Sequence, residues 1–162
     1  MAETRGYAHR VDIGAGIDEV WQSLIDPARL TRWCALQARV DAREGGSLWL
    51  QVDGDLTREA HIDIYQPPRR LRLIYMPLPG MPDDGTVLVE DFLLDRDPAA
   101  ARAKEVTAVT VLRLMGSGIP ETGPWQAVYL ALRRGWERAL PRLKIYLERP
   151  APGRESQFVR PI

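Results

Sequence analysis

The arrangement of apolar positions changes character along the chain. Residues 7–13 read as a strand, closed by Gly14-Ala15-Gly16, where the backbone can turn sharply. Ile17, Val20, Trp21 and Leu24 then recur at helical spacing over 17–25, with Asp18 and Glu19 at the positive end of the helix dipole. Asp26 before Pro27 has the form of an N-cap with proline in the first turn, which predicts a second short helix to about Trp33, set in a V against the first. From residue 38 to 115 the pattern becomes short runs rich in Val, Ile, Leu, Thr and Tyr, and strands are predicted at 38–42, 47–52, 58–66, 71–76, 87–95 and 104–115. The separators are Gly45-Gly46, Asp53-Gly54-Asp55, Pro67-Pro68-Arg69 and the longer segments 77–85 and 96–102, so successive strands should pair as hairpins of one meandering antiparallel sheet. No internal repeat of solenoid or propeller period is present.

The last ordered stretch, 124–148, returns to helical spacing. Trp125, Val128, Tyr129, Leu132, Trp136, Ala139, Leu140, Leu143, Tyr146 and Leu147 form an apolar stripe, while Arg133, Arg134, Glu137, Arg138, Arg142, Lys144 and Glu148 fall elsewhere. A helix of this length spans about 37 Å, enough to cross a domain of this size. Pro141 lies off the stripe, on the solvent side, where it is expected to bend the helix around the core. Residues 1–148 are therefore expected to form one domain, with 149–162 a proline-containing tail that is mobile or borrowed by a neighbour.

Composition narrows the range of functions. With 22 Lys and Arg against 22 Asp and Glu, the chain lacks the positive excess that drives nucleic-acid or anionic-membrane binding. Cys34 is the single cysteine, which excludes an internal disulfide and a cysteine-rich zinc site and fits a cytoplasmic home. The first seven residues carry Glu3 and Arg5 where a signal peptide needs apolar residues, and no apolar run reaches membrane-spanning length. His9 and His61 are too far apart for a metal-ligand spacing, and no Walker loop, dinucleotide fingerprint or nucleophile elbow occurs, so neither metal nor cofactor is expected.

The order of elements, strand, two short helices, antiparallel strands and a long amphipathic helix, resembles the START-like (SRPBCC) superfamily. Ile17-Asp18-Glu19-Val20-Trp21, Ile25-Asp26-Pro27, Leu30, Trp33 and Gly45-Gly46 are similar to the opening of domains related to the activator of the heat-shock-protein-90 ATPase. Pro67-Pro68-Arg69-Arg70-Leu71 takes the place of that family's Pro-x-Arg-Leu turn, and Gly135-Trp136 with Leu140, Leu143 and Leu147 matches its closing helix. The resemblance runs from Val11 to Glu148. It implies an α+β helix-grip fold, a curved antiparallel sheet wrapped around the C-terminal helix. The 77–85 insertion, with three prolines and two glycines, is longer than a plain hairpin requires.

Such a fold implies a hollow of ligand size, ~300 to 1,000 Å³, unless large side chains fill it. Val128, Leu132, Trp136 and Leu143 are its expected helix wall, with Trp33 and Tyr75 opposite; periodicity does not separate pocket lining from core packing at these positions. Trp21, beside Val20 and Leu24, reads as core. Glu90 and Asp91 are neighbours in a strand and must face opposite sides, so one of them can enter the hollow, where Arg113 on the next strand is its expected partner; the alternative is that both are solvated. His61 reads as an exposed or hydrogen-bonded histidine, and Cys34 as a small buried hydrophobe.

Three functions follow, and the first is favoured: a non-enzymatic carrier of a small hydrophobic molecule, lipid-like or an aromatic metabolite. The resemblance also implies a stress-related protein-interaction role, with a chaperone or a second copy as partner, or a polyketide-cyclase-like enzyme in which a polar pair polarises a carbonyl.

Overall fold

The computed structural model describes residues 3–77 and 80–149. The elements follow the order β1 (Thr4–Ile13), α1 (Ile17–Ile25), α2 (Pro27–Trp33), β2 (Gln37–Asp41), β3 (Ser47–Asp53), β4 (Leu56–Gln66), β5 (Arg70–Tyr75), β6 (Leu88–Arg96), α3 (Pro98–Ala103), β7 (Thr110–Pro120) and α4 (Gly123–Glu148). The seven strands form one antiparallel sheet in the order β1-β7-β6-β5-β4-β3-β2, a meander into which the first strand is added beside the last. With α4 on its concave face, this is the helix-grip arrangement. The tail expected beyond residue 149 lies outside the described residues.

Local chemistry explains the helix starts. The Asp26 carboxylate accepts from Ala28 N at 3.2 Å and caps α2, with Pro27 in its first turn. Asp97 does the same for α3, accepting from Ala100 N at 3.0 Å ahead of Pro98. This second Asp-Pro cap corrects the sequence reading, which began the last strand at residue 104. Residues 98–103 are helical because Pro98, four alanines and Arg102 follow a capped start, and β7 begins only at Thr110. The strand predicted to end at residue 115 runs on to Pro120, and Met115, Gly116 and Ser117 pair with β6.

The core fills the space between the sheet's concave face, α1, α2 and α4. Ile13, Val20, Ile62, Leu112, Leu114 and Leu143 are fully enclosed, and each apolar side chain of this size stabilises the fold by about 1.5–3 kcal/mol on burial. Trp21 belongs to this core and packs its ring 5.5 Å from that of Tyr65. Helix α4 runs through Pro141, which is exposed, without interruption. Its C-terminal half is tied down by Leu140 and Leu143 and by Lys144, which donates to Asp12 O at 2.6 Å and pairs with Glu148 at 2.8 Å. At the other end the Trp125 indole donates to Asp84 at 2.9 Å, joining the helix's first turn to the β5–β6 connection. Among the described residues no helix is long and apolar enough to cross a membrane.

Candidate functional site

Alternation along β6 decides where the polar residues go. Leu88, Glu90, Phe92 and Leu94 point to the concave face, and Asp91 to the convex one. Glu90 is thereby carried into the core, 1% exposed. A carboxylate there is tolerable only if its oxygens are paired, and three donors converge on it. The Tyr7 hydroxyl from β1 and the Trp136 indole N–H from α4 both donate to Oε2, and Arg58 from β4 donates to Oε1 at 3.1 Å. Tyr75 from β5 completes the ring around it, with the Arg58 guanidinium lying 4.1 Å over the Tyr75 ring. One buried ion pair thus joins β1, β4, β5, β6 and α4.

The electrostatics follow from burial. Desolvation pushes the Tyr7 phenol far above its ordinary range, and the Glu90 charge adds to this, so Tyr7 stays a donor. Tyr75 is raised for the same first cause, with Arg58 opposing it. Burial alone would weaken the charge on Arg58, but the adjacent Glu90 carboxylate outweighs it and its pKa is raised. Arg58 Nε is buried with no protein partner.

In front of this cluster is an apolar cavity lined by Leu24, Leu30, Trp33, Cys34, Leu48, Leu50, Leu71, Leu73, Tyr75, Phe92 and Trp136. Its volume is about 20 Å³, room for one water molecule. The ligand-sized hollow expected from the fold is thus filled by the protein's own rings: Trp136 lies edge-on to Phe92 at 5.6 Å and tilted against Trp33 at 6.4 Å. Trp33 is held in place by its indole N–H, which donates to Ser23 O at 2.9 Å.

Of the residues expected from sequence, Trp33, Tyr75 and Trp136 meet at the cavity, and Glu90 stands beside them. Arg113 does not. It lies opposite Leu93 on the convex face and pairs with Asp95 at 3.4 Å, because the register sets Gly116 opposite Glu90 and so turns Leu112 and Leu114 inward and Arg113 outward. Arg58 holds the position assigned to it. Val128 and Leu132 are half-buried against the core and Leu143 is fully buried, and none of the three lines the cavity.

Sequence reasoning missed Tyr7, Arg58 and Gly116. The signals were present: Arg58 shares its strand face with Ala60 and Ile62, and a glycine within a strand marks a close approach. A Cβ on Gly116 would overlap the Tyr7 ring, so this glycine is what lets Tyr7 cross β7 to reach Glu90. Cys34 lines the cavity with its thiol pushed up to about 12 by burial, so it is a neutral wall group. Among the described residues no three His, Cys, Asp or Glu side chains are placed to hold a metal ion.

Comparison with known proteins adds to this geometry. Residues 15–148 match the family described as Activator of Hsp90 ATPase homolog 1-like protein. CalU16 from Micromonospora echinospora is 27% identical, with a TM-score of 0.68 over 96% of this chain and 83% of that one. DynU16, of the dynemicin biosynthetic locus, is 22% identical, with a TM-score of 0.67 over 88% of this chain and 47% of that one. The Aha1 dimer from Colwellia psychrerythraea is 19% identical, with a TM-score of 0.70 over 89% and 96%. No curated protein is significantly similar in sequence.

Proposed function

The chain belongs to the family of Activator of Hsp90 ATPase homolog 1-like proteins, and from that premise we propose that it binds a small, mainly apolar molecule between the concave sheet and α4, without covalent chemistry. The observation that carries this reading is the apolar cavity walled by Trp33, Tyr75, Phe92 and Trp136 directly in front of a buried ion pair. A core built only for stability gains little from an arginine and a glutamate at its centre, since replacing a buried ion pair by apolar residues is often neutral or stabilising. The same pair beside a wall of aromatic rings gives a binding site a polar end and an apolar body. The fold likeness to a protein of a biosynthetic locus is in keeping with a small-molecule role.

The present volume admits no ligand beyond a water molecule, so binding requires Trp136 or Trp33 to swing aside. Binding energy then has to cover that rearrangement, which predicts modest affinity for small probes. The test is titration of the protein with tetralin, read by tryptophan fluorescence. Saturable binding of one tetralin per chain is expected, and no saturable binding up to the probe's solubility contradicts the proposal.

A second reading, protein contact of the chaperone-activator kind, has one observation in its favour. Leu36, Leu56, Met76 and Val87 are exposed apolar residues near strand ends on the side of the sheet where β3 turns into β4 and β5 leaves for β6. Retention of a chaperone on the purified protein, lost in Leu36→Ser/Met76→Ser, would favour it.

A further inference from the structure

Among the described residues three buried side-chain nitrogens have no protein partner: Arg5 Nε, His9 Nε2 and Arg58 Nε. Arg5 and His9 lie on β1 under α4, and the Arg5 guanidinium is already stacked 4.0 Å over the Tyr129 ring. Arg58 differs, because the two aromatic rings nearest its guanidinium, Tyr75 at 4.1 Å and Trp136 at 5.9 Å, are themselves walls of the cavity. Displacing Trp136, the step that would enlarge the cavity, breaks its hydrogen bond to Glu90 and takes a ring away from beside Arg58. A ligand in the space of the indole ring would then find aromatic faces around it and a charged N–H donor that lacks an acceptor.

Charge decides what kind of acceptor fits. Arg58 and Glu90 are 3.1 Å apart and already neutralise each other. A ligand carboxylate would add an uncompensated negative charge next to Glu90 in a site shut off from water, which is costly. A ligand with no polar atom would leave the Nε donor unsatisfied, as it is now. We infer that the bound molecule is a planar aromatic compound carrying a neutral carbonyl, an aryl ketone or quinone, and that its oxygen accepts from Arg58. This rests on the reading of the cavity as a binding site and sharpens it to a ligand class. Stacking on Phe92 and Trp33 suits a flat ring system, and the hydrogen bond to a cation fixes its orientation.

The experiment is a calorimetric titration with three probes of one shape: tetralin with no acceptor, 1-tetralone with a neutral one, and tetralin-1-carboxylate with an anionic one. A hydrogen bond to a charged donor predicts that 1-tetralone binds about tenfold tighter than either of the others. In Arg58→Lys, which keeps a charge for Glu90 but loses Nε, that advantage should fall to under about twofold. Equal affinity for tetralin and 1-tetralone, tightest binding of the carboxylate, or an advantage that survives in Arg58→Lys would overturn the inference while leaving the cavity a binding site. If none of the three binds, the binding reading fails and the inference falls with it. Should Arg58→Lys not fold, the Arg58 Nε–H resonance of the unaltered protein serves instead. It should shift with 1-tetralone and stay in place with tetralin, and a shift with neither would refute the assignment.

Discussion

Glu90 and Asp91 are adjacent carboxylates on one strand, both paired with arginine, yet the pleat of β6 gives them opposite surroundings. The Glu90 side chain is 2% exposed and its partner Arg58 14%; the Asp91 side chain is 12% exposed, but its partners Arg70 and Arg72 are about a third open to solvent. On the convex face Asp91 bridges two arginines of β5, at 3.2 Å and 3.0 Å, and water reaches and screens the two guanidinium groups. On the concave face Glu90 receives one cation, a phenol and an indole, with no solvent to replace any of them. The same residue class therefore serves as a surface brace on one side of the sheet and as an interior hub on the other. Only the hub touches a cavity wall, because only it reaches Trp136.

This contrast can be broken by substitution. Glu90→Ala should have the largest effect, about 3–5 kcal/mol in denaturant unfolding, because Arg58 would be left charged and buried along with two unpaired donors. A loss below about 1 kcal/mol would mean that the hub is not an enclosed ion pair. Gly116→Ala comes next, at about 1–3 kcal/mol, since the added methyl meets the Tyr7 ring and pushes it from Glu90. Tyr7→Phe combined with Gly116→Ala should cost little more than Gly116→Ala alone, and full additivity would show that the glycine does not act through Tyr7. Asp91→Ala should cost under about 1 kcal/mol, with that cost shrinking further in high salt. A salt-independent loss as large as that of Glu90→Ala would erase the distinction between the two faces.

The smallest expected effect concerns His9, which neighbours Tyr7 with ring centroids 5.7 Å apart and faces Arg133 and Glu137 of α4. Burial holds its imidazole below the ordinary value of 6.5, with Glu137 opposing and Arg133 assisting. The folded state thus prefers the neutral ring. The stability this contributes is present above pH 6.5 and is lost as pH falls toward the depressed folded-state value. Melting temperature followed from pH 7.5 to 5 should decline less steeply in His9→Gln than in the unaltered protein, and parallel curves would rule His9 out as the cause.

Much of this architecture was legible in the sequence, for identifiable reasons. Helices α1 and α2 were readable because Ile17, Val20, Trp21 and Leu24 repeat at helical spacing and Asp26-Pro27 marks the next start. Helix α4 was readable from its stripe, but the stripe also contains Val128 and Leu132, which are only half-buried, so periodicity overstated what that half of the helix encloses. The start of β7 was misplaced because Val106 and Val109 look like strand residues while Asp97-Pro98 caps a helix just before them. At the site, aromatic type and strand parity brought Trp33, Tyr75, Trp136 and Glu90 within view. Strand parity also sets Arg58 on the inward face of β4 with Ala60 and Ile62, but choosing it over Arg113 as the partner of Glu90 depends on the β6–β7 register, which one sequence does not fix. The filled cavity was likewise illegible, since spacing says which side chains face inward and not whether their rings meet.

The five tryptophans make the most direct test possible within one sample, because Trp33 and Trp136 wall the cavity, Trp125 sits at the first turn of α4, and Trp49 lies on the convex face beneath Arg39. Their indole N–H resonances should be followed by proton–nitrogen correlation spectra as tetralin is added. Saturable shifts of Trp136 and Trp33, with Trp49 and Trp125 unmoved, are the predicted result. Shifts confined to Trp49, or no saturable shift at Trp136, would contradict a binding site between the sheet and α4.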